Sequence, residues 1–358
     1  MITTPERKAP RILADLRRFA YNLFQREDNV ANSHLHLEIE ATNLCNTRCL
    51  HCPREALTRP RGKMDLQTYK TIIDKAVASS KTFCVVYAGL GEPLLNPLVY
   101  DFIAYVDRRG RTSMVTNGSA LTPKNVQRLI DSGIDQITMS FNGVEKEPYE
   151  LMMGGLNFER ARANLENAVR MTRDTQTIMA VNVSVTRQTR GNLAAIKQYL
   201  DGVGVQEIYF SMCHSRCGML KDESVCDTPL PPSDKLRCDM FKCIMFVSWS
   251  GIVLSCYDDL AGTNEMGDLK VDSIESILER KKKILSEGVK FDICNRCNDL
   301  YRFTDDRLPG GRSISDCIYD LYTSGDSHAS DKTSSLSEWL GVLTDQMNQP
   351  DHPMNDPM

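Results

Sequence analysis

No apolar run in the chain reaches the roughly 18 residues that a spanning helix needs. The stretch Met1 to Arg26 carries charges throughout and lacks the apolar centre of an export signal. There is no basic excess: 43 Lys and Arg stand against 47 Asp and Glu, a net charge of −4. With no stretch that interleaves Arg and aromatic residues, nucleic acid is not an expected partner. Internal repeats and long low-complexity tracts are absent too. At 41% hydrophobic and 25% charged residues, the composition excludes a mainly disordered chain, a collagen and a coiled coil. A soluble, cytoplasmic protein without a membrane span is expected. Its 358 residues predict two domains, or one large α/β barrel with an appendage.

What the chain does have is cysteine. Thirteen, an odd number, do not suit a disulfide framework in a reducing compartment. Metal ligation or thiol chemistry is the better account, and spacing decides between them.

Residues 8 to 25 place Ile12, Leu13, Leu16, Phe19 and Leu23 at helical spacing, so the chain is expected to open on an amphipathic helix. A strand follows at 34–39, where Leu35, Leu37 and Ile39 alternate with polar neighbours. Strands then fit near 82–88, 111–116, 134–141, 177–185 and 205–210. Helices fit near 66–79, 97–109, 122–132, 157–173 and 191–201. Strict strand–helix alternation predicts a parallel sheet or barrel, because each parallel crossover needs a helix-length connection. Beyond about Phe210 the pattern breaks. A bridge at 211–237 leads to a hairpin, Ile244 to Trp249 and Ile252 to Cys256, turning at Ser250-Gly251. A helix fits 272–287 and a short one 335–347. Residues 323–334 and 348–358 are expected to be mobile.

Cys45, Cys49 and Cys52 form a C-x3-C-x2-C run just after the first strand. Three thiolates this close on one loop can surround a soft metal centre, an iron–sulfur cluster or zinc. A structural zinc site normally has four protein ligands. His51, wedged between two of the cysteines, is poorly placed to be the fourth.

The run resembles that of the radical S-adenosylmethionine (radical SAM) superfamily. The resemblance implies a 4Fe–4S cluster on these three cysteines, with SAM chelating the fourth iron. Downstream residues agree in order. Gly89-Leu90-Gly91-Glu92-Pro93 resembles the family's Gly-Gly-Glu-Pro element, with Leu90 replacing one glycine. Thr116 and Asn117 precede Gly118 after the third strand. Ser140 and Asn142 resemble a Ser-x-Asp/Asn element near the SAM ribose, with Asn in place of the commoner Asp. Asn182 on the fifth strand is a further candidate SAM contact. All fall near the carboxyl ends of successive strands, where α/β sheets place ligands. The implied fold is a partial (β/α)6 barrel over residues 34–210, preceded by the helix in 1–33.

Cys238, Gly251 and Cys256 read C-x12-G-x4-C, and Cys294 and Cys297 form a C-x2-C. Alone, four such thiolates suit tetrahedral zinc and a fully ligated 4Fe–4S cluster equally. After a radical SAM barrel they resemble the SPASM and twitch extensions. The count of cysteines fits the shorter twitch form, with one auxiliary 4Fe–4S cluster. A small α+β cluster-binding extension over 238–322 is therefore expected, then a flexible tail over 323–358. Cys84 reads as a buried thiol. Cys213, Cys217 and Cys226 read as spare thiols, and Cys243 and Cys317 are unassigned.

The resemblance implies reductive cleavage of SAM, with electrons from a flavodoxin- or ferredoxin-like donor, and abstraction of a substrate hydrogen atom. The nearest pattern is that of the aminocyclitol dehydrogenases of aminoglycoside biosynthesis, which convert an alcohol to a ketone. A small-molecule substrate is expected, with a peptide the alternative, as in the SPASM maturases; redox-neutral epimerisation also fits. A rival of another class is a zinc-stabilised binding module. Ketone formation needs a proton acceptor. His214, Arg216, Lys242, Tyr257 and Asp258 lie nearby in sequence, but none is singled out by it.

Overall fold

The computed structural model describes residues 34–79, 81–226, 238–299 and 314–323. The helices expected at 8–25 and 335–347 lie outside them, as do nearly all the residues expected to be mobile. Strand and helix alternate as β1 (His34–Ile39), α1 (Leu66–Ala78), β2 (Thr82–Tyr87), α2 (Val99–Val106), β3 (Arg111–Thr116), α3 (Pro123–Asp131) and β4 (Gln136–Ser140). The series continues with α4 (Lys146–Met152), α5 (Phe158–Thr172), β5 (Ile178–Val185), α6 (Leu193–Val203) and β6 (Glu207–Met212). The six strands pair in parallel in the order β6-β5-β4-β3-β2-β1. This is the expected α/β architecture. Only α4 was not foreseen: its seven residues are too few to show a helical period.

Local chemistry starts these helices. The Asp65 side chain accepts from Thr68 N at 2.8 Å to cap α1, and Asn157 accepts from Arg160 N at 2.9 Å to cap α5. Thr122 caps α3, with Pro123 at its first position. In β1, Leu35, Leu37 and Ile39 are buried and share a core with Ile72 of α1 and Phe102 of α2. The alternate residues His34, His36 and Glu38 remain partly exposed on the other face. A sheet with helices on one face therefore presents a polar concave face, and the site lies there.

The C-terminal part contains α7 (Asp239–Cys243), β7 (Ile244–Val247), β8 (Ile252–Leu254), β9 (Glu265–Asp268), α8 (Ile274–Glu287) and α9 (Ile314–Thr323). β7 and β8 form the expected hairpin. Its turn closes with Gly251 N donating to Ser248 O at 2.9 Å, and Gly251 takes a φ of 89°, which favours glycine. Not foreseen were α7, β9 and α9, nor the pairing of β7 in parallel with β1. The extension thereby continues the barrel sheet, giving nine strands in the order β6-β5-β4-β3-β2-β1-β7-β8-β9. It also covers what would be an open β1 edge. α9 packs on β6, where Phe210 N donates to Ser315 Oγ at 2.8 Å.

A buried ion pair joins these parts. Arg59 Nη1 and Nη2 each lie 2.6 Å from a Glu40 oxygen, and Trp249 N donates to the same carboxylate at 3.4 Å. Glu40 is fully buried, so the bidentate guanidinium is what makes its charge tolerable there.

Candidate active site

The loop after β1 presents Cys45, Cys49 and Cys52 to a cavity of about 370 Å³. Backbone bonds to the end of α4 hold the loop: Arg48 N donates to Gly154 O at 2.7 Å and Leu50 N to Met152 O at 3.1 Å. Thr47 Oγ1 lies 3.1 Å from Cys45 Sγ and 3.5 Å from Cys49 Sγ. Burial pushes the Cys49 thiol up to about 12 and raises Cys52 as well. Thiols in that state are poor nucleophiles; metal coordination is the chemistry that would ionise them. The donor set thus fits a cluster with three protein ligands.

Glu92 is held from three sides. Thr116 Oγ1 donates to Oε1 at 2.8 Å, Asn117 N donates to Oε2 at 2.8 Å and Leu94 N to Oε1 at 3.2 Å. Burial raises its pKa, against the pull of these donors. Gly91 sits against Thr42 O so closely that a Cβ would collide with the backbone, which is why a glycine precedes Glu92. Asn117 Nδ2 reaches toward Cys45 Sγ at 3.8 Å and Asn46 Oδ1 at 3.0 Å.

Gly89, Gly91, Glu92, Thr116 and Asn117 all line the cavity, with Ser140 and Asn182 on its far side. Asn182 is anchored by Ser211 Oγ, which donates to its Oδ1 at 3.1 Å. Asn142 is the exception among these candidates. It is fully buried, does not line the cavity, accepts from Ser184 N at 2.8 Å and lies 3.1 Å from Met153 Sδ. The structure thus gives it a role in tying β4 to β5.

In the second cysteine set, Cys238 caps α7 and Cys256 follows β8. Cys294 and Cys297 occupy one short 3-10 turn and its end. Cys256 is an electrostatic neighbour of both Cys238 and Cys297, and burial raises its thiol. Two residues not assigned from sequence join them. Cys217 hydrogen-bonds Cys297, and buried Lys281 of α8 lies near Cys238, Cys243 and Cys256. Lys281 Nζ also donates to Ile244 O. Cys213 and Cys226, by contrast, pair with each other, Sγ to Sγ 2.7 Å.

Between the two thiol sets the cavity has a charged wall of Glu38, His214, Arg216, Tyr257 and Asp299. Tyr257 OH donates to Asp299 Oδ2 at 2.6 Å and lies 3.2 Å from His214 Nε2. Arg216 Nη1 is 3.3 Å from Asp258 Oδ1. Burial lowers the His214 pKa. Glu38 and Asp299 escaped the sequence reading. The usable signal for Glu38 was a carboxylate on the polar face of a strand that feeds a ligand-bearing loop.

Residues 39–194 match the family model described as the Radical SAM superfamily. This segment is similar to a radical SAM domain. Over 180 residues the chain is 25% identical to the tungsten-containing aldehyde ferredoxin oxidoreductase cofactor-modifying protein of Pyrococcus furiosus, covering 49% of this chain and 51% of that protein. The chain spans about half the length, or less, of the first curated relatives it matches, 51%, 37% and 50%. A longer match, 24% identical over 282 residues, is to the S-adenosyl-L-methionine-dependent 2-deoxy-scyllo-inosamine dehydrogenase of Niallia circulans, covering 76% of this chain and 95% of that protein. The solved structure of BtrN in complex with AdoMet and 2-DOIA aligns with a TM-score of 0.54 at 21% identity, over 76% of this chain and 96% of that one. That likeness is one of fold, a partial barrel carried by a parallel sheet.

Proposed function

We propose that the protein is a radical SAM oxidoreductase that removes a hydrogen atom from a small polar substrate and completes a two-electron oxidation of an alcohol to a ketone. The observation that carries this reading is one cavity shared by the three-thiol loop, the Glu92 lock and the charged wall beside the second thiol set. When bound at Cys45, Cys49 and Cys52, the cluster and SAM would supply a hydrogen-abstracting carbon radical. Glu92, fixed by Thr116 and Asn117, offers a rigid acceptor for the SAM amino group. Gly89 and Gly91 let backbone approach it, and Ser140 and Asn182 reach its sugar from the far side. The wall holds the substrate and takes up its hydroxyl proton. Cys238, Cys256, Cys294 and Cys297 would hold one auxiliary 4Fe–4S cluster, an outlet for the second electron. The length of the match to a SAM-dependent dehydrogenase supports the oxidation. A flavodoxin- or ferredoxin-like donor and a reducing, cytoplasmic setting belong to the same proposal.

The test is anaerobic reconstitution followed by an iron count and dithionite-driven release of 5′-deoxyadenosine. About eight irons per chain are expected, falling to about four with loss of release when Cys45, Cys49 and Cys52 are all changed to Ala. About four irons in the wild type would remove the auxiliary cluster. Zinc alone, without release, would overturn the enzyme.

A further inference from the structure

Glu38 belongs to the charged wall and lines the cavity, but the reaction proposed there gives it no role of its own. It belongs to the polar face of β1, with its neighbours Leu37 and Ile39 turned into the core. Glu40, two residues on, is saturated by Arg59; no group among the described residues hydrogen-bonds the Glu38 carboxylate.

The rest of the wall shows what kind of group is missing. His214 is 7% exposed, and its Nδ1 is buried without a hydrogen-bond partner. The Tyr257 proton is directed at Asp299, so the Tyr257 oxygen is left to accept from His214 Nε2. That tautomer leaves Nδ1 as a bare acceptor, 3.8 Å from another acceptor, Asp258 Oδ2. Acceptors without donors require a ligand that brings donors. Charge points the same way. Among the described residues, Arg216 is the Lys or Arg that acts on Glu38, Asp258 and Asp299 here, and Asp258 already engages it. An anionic substrate would meet net repulsion here, and a cation would be drawn in.

We propose that Glu38 receives the ammonium group of an amine-bearing polyol, the substrate class the resemblance implies, and is the residue that selects it. This rests on the oxidation proposed for the same cavity. Burial first, then Asp258, Glu40 and Asp299, push the Glu38 carboxyl up to about 7 against the pull of Arg216. Near neutrality it therefore ionises at little cost once a cation lies beside it.

The experiment is calorimetric, on the full reconstituted chain under anaerobic conditions with SAM and no reductant. The probes are 2-deoxy-scyllo-inosamine and the same ring with a hydroxyl in place of the amine. A charge-assisted hydrogen bond implies that the wild type prefers the amine by about ten- to a hundredfold. Glu38→Gln should abolish the preference, and Glu38→Asp should restore part of it. The preference is a ratio read within each variant, so a change in folded fraction cancels. A Glu38→Gln protein that keeps the wild-type preference overturns the proposal, as does a wild type that shows none or binds neither probe. Reductive release of 5′-deoxyadenosine by the wild type separates the two readings. If release persists while the preference is absent, only the role of Glu38 falls. If release is absent, the oxidation itself falls.

Discussion

Glu92 shows how a single side chain is made rigid before any ligand arrives. Three donors from two segments hold both its oxygens, and Gly91 clears the space behind it. Glu92→Ala should weaken SAM binding by about tenfold or more, given the usual worth of a hydrogen bond to a charged group; equilibrium dialysis with the reconstituted protein checks this. Arg59 makes a different point. Its partner Glu40 is buried, so Arg59→Met strands a charge and should cost about 3–5 kcal/mol in denaturant unfolding. Changing Glu40 to Gln in the same chain should recover most of that loss. Both carboxylates stand in the sequence, but only Glu92 sits in a motif. Glu40 and Glu38 occupy one strand at alternate positions, and nothing in the string tells which carboxylate is neutralised and which is left open to the cavity.

Among the elements, α8 carries the clearest consequence. Its buried residues Ile274, Ile277 and Lys281 follow helical spacing, so one lysine of the Lys281-Lys282-Lys283 run lies on the apolar face. Burial lowers that ammonium to about 8, against the pull of Cys243, Cys238 and Cys256. A positive charge beside a set of thiolates favours the more negative, reduced state of whatever they bind. Lys281→Met should therefore make the reduction potential of the proposed auxiliary cluster more negative, as read by a potentiometric titration followed by EPR. An unchanged potential would mean that Lys281 serves only packing and its bond to Ile244 O. The helix was legible from its period. The neighbours of its buried lysine were not, because α7 and the loop after β8 reach it only in the folded chain.

At the scale of the molecule, the polar face of the barrel makes stability depend on pH. Burial lowers His34 to about 3 and His36 to about 4, from 6.5. In the unfolded chain both titrate near 6.5, so below that value the unfolded state binds more protons than the folded one. Through these two groups stability should fall progressively as pH drops from 6.5 toward 4, offset in part by Glu38, whose raised carboxyl takes up a proton in the folded state below about pH 7. Chemical unfolding at pH 7 and pH 5 measures it, and His36→Gln should flatten the slope. The nine-stranded sheet belongs to this scale as well. β7 joins β1 although more than two hundred residues separate them, and the two thiol sets come to share one neighbourhood through that pairing.

The alternation of strands and helices, the hairpin at Gly251 and the residue types at the strand ends are all written in the order of the amino acids. These follow from periodicity, turn chemistry and ligand spacing, all of which act over a few residues and survive in a linear string. Only the tertiary structure decided that Asn142 is buried as a tie between strands and that Cys217 meets Cys297. The same packing opens Glu38 onto the cavity with no hydrogen-bond partner among the described residues. Each of those outcomes depends on which segments pack together, and in a parallel sheet such contacts are made between residues far apart in the chain.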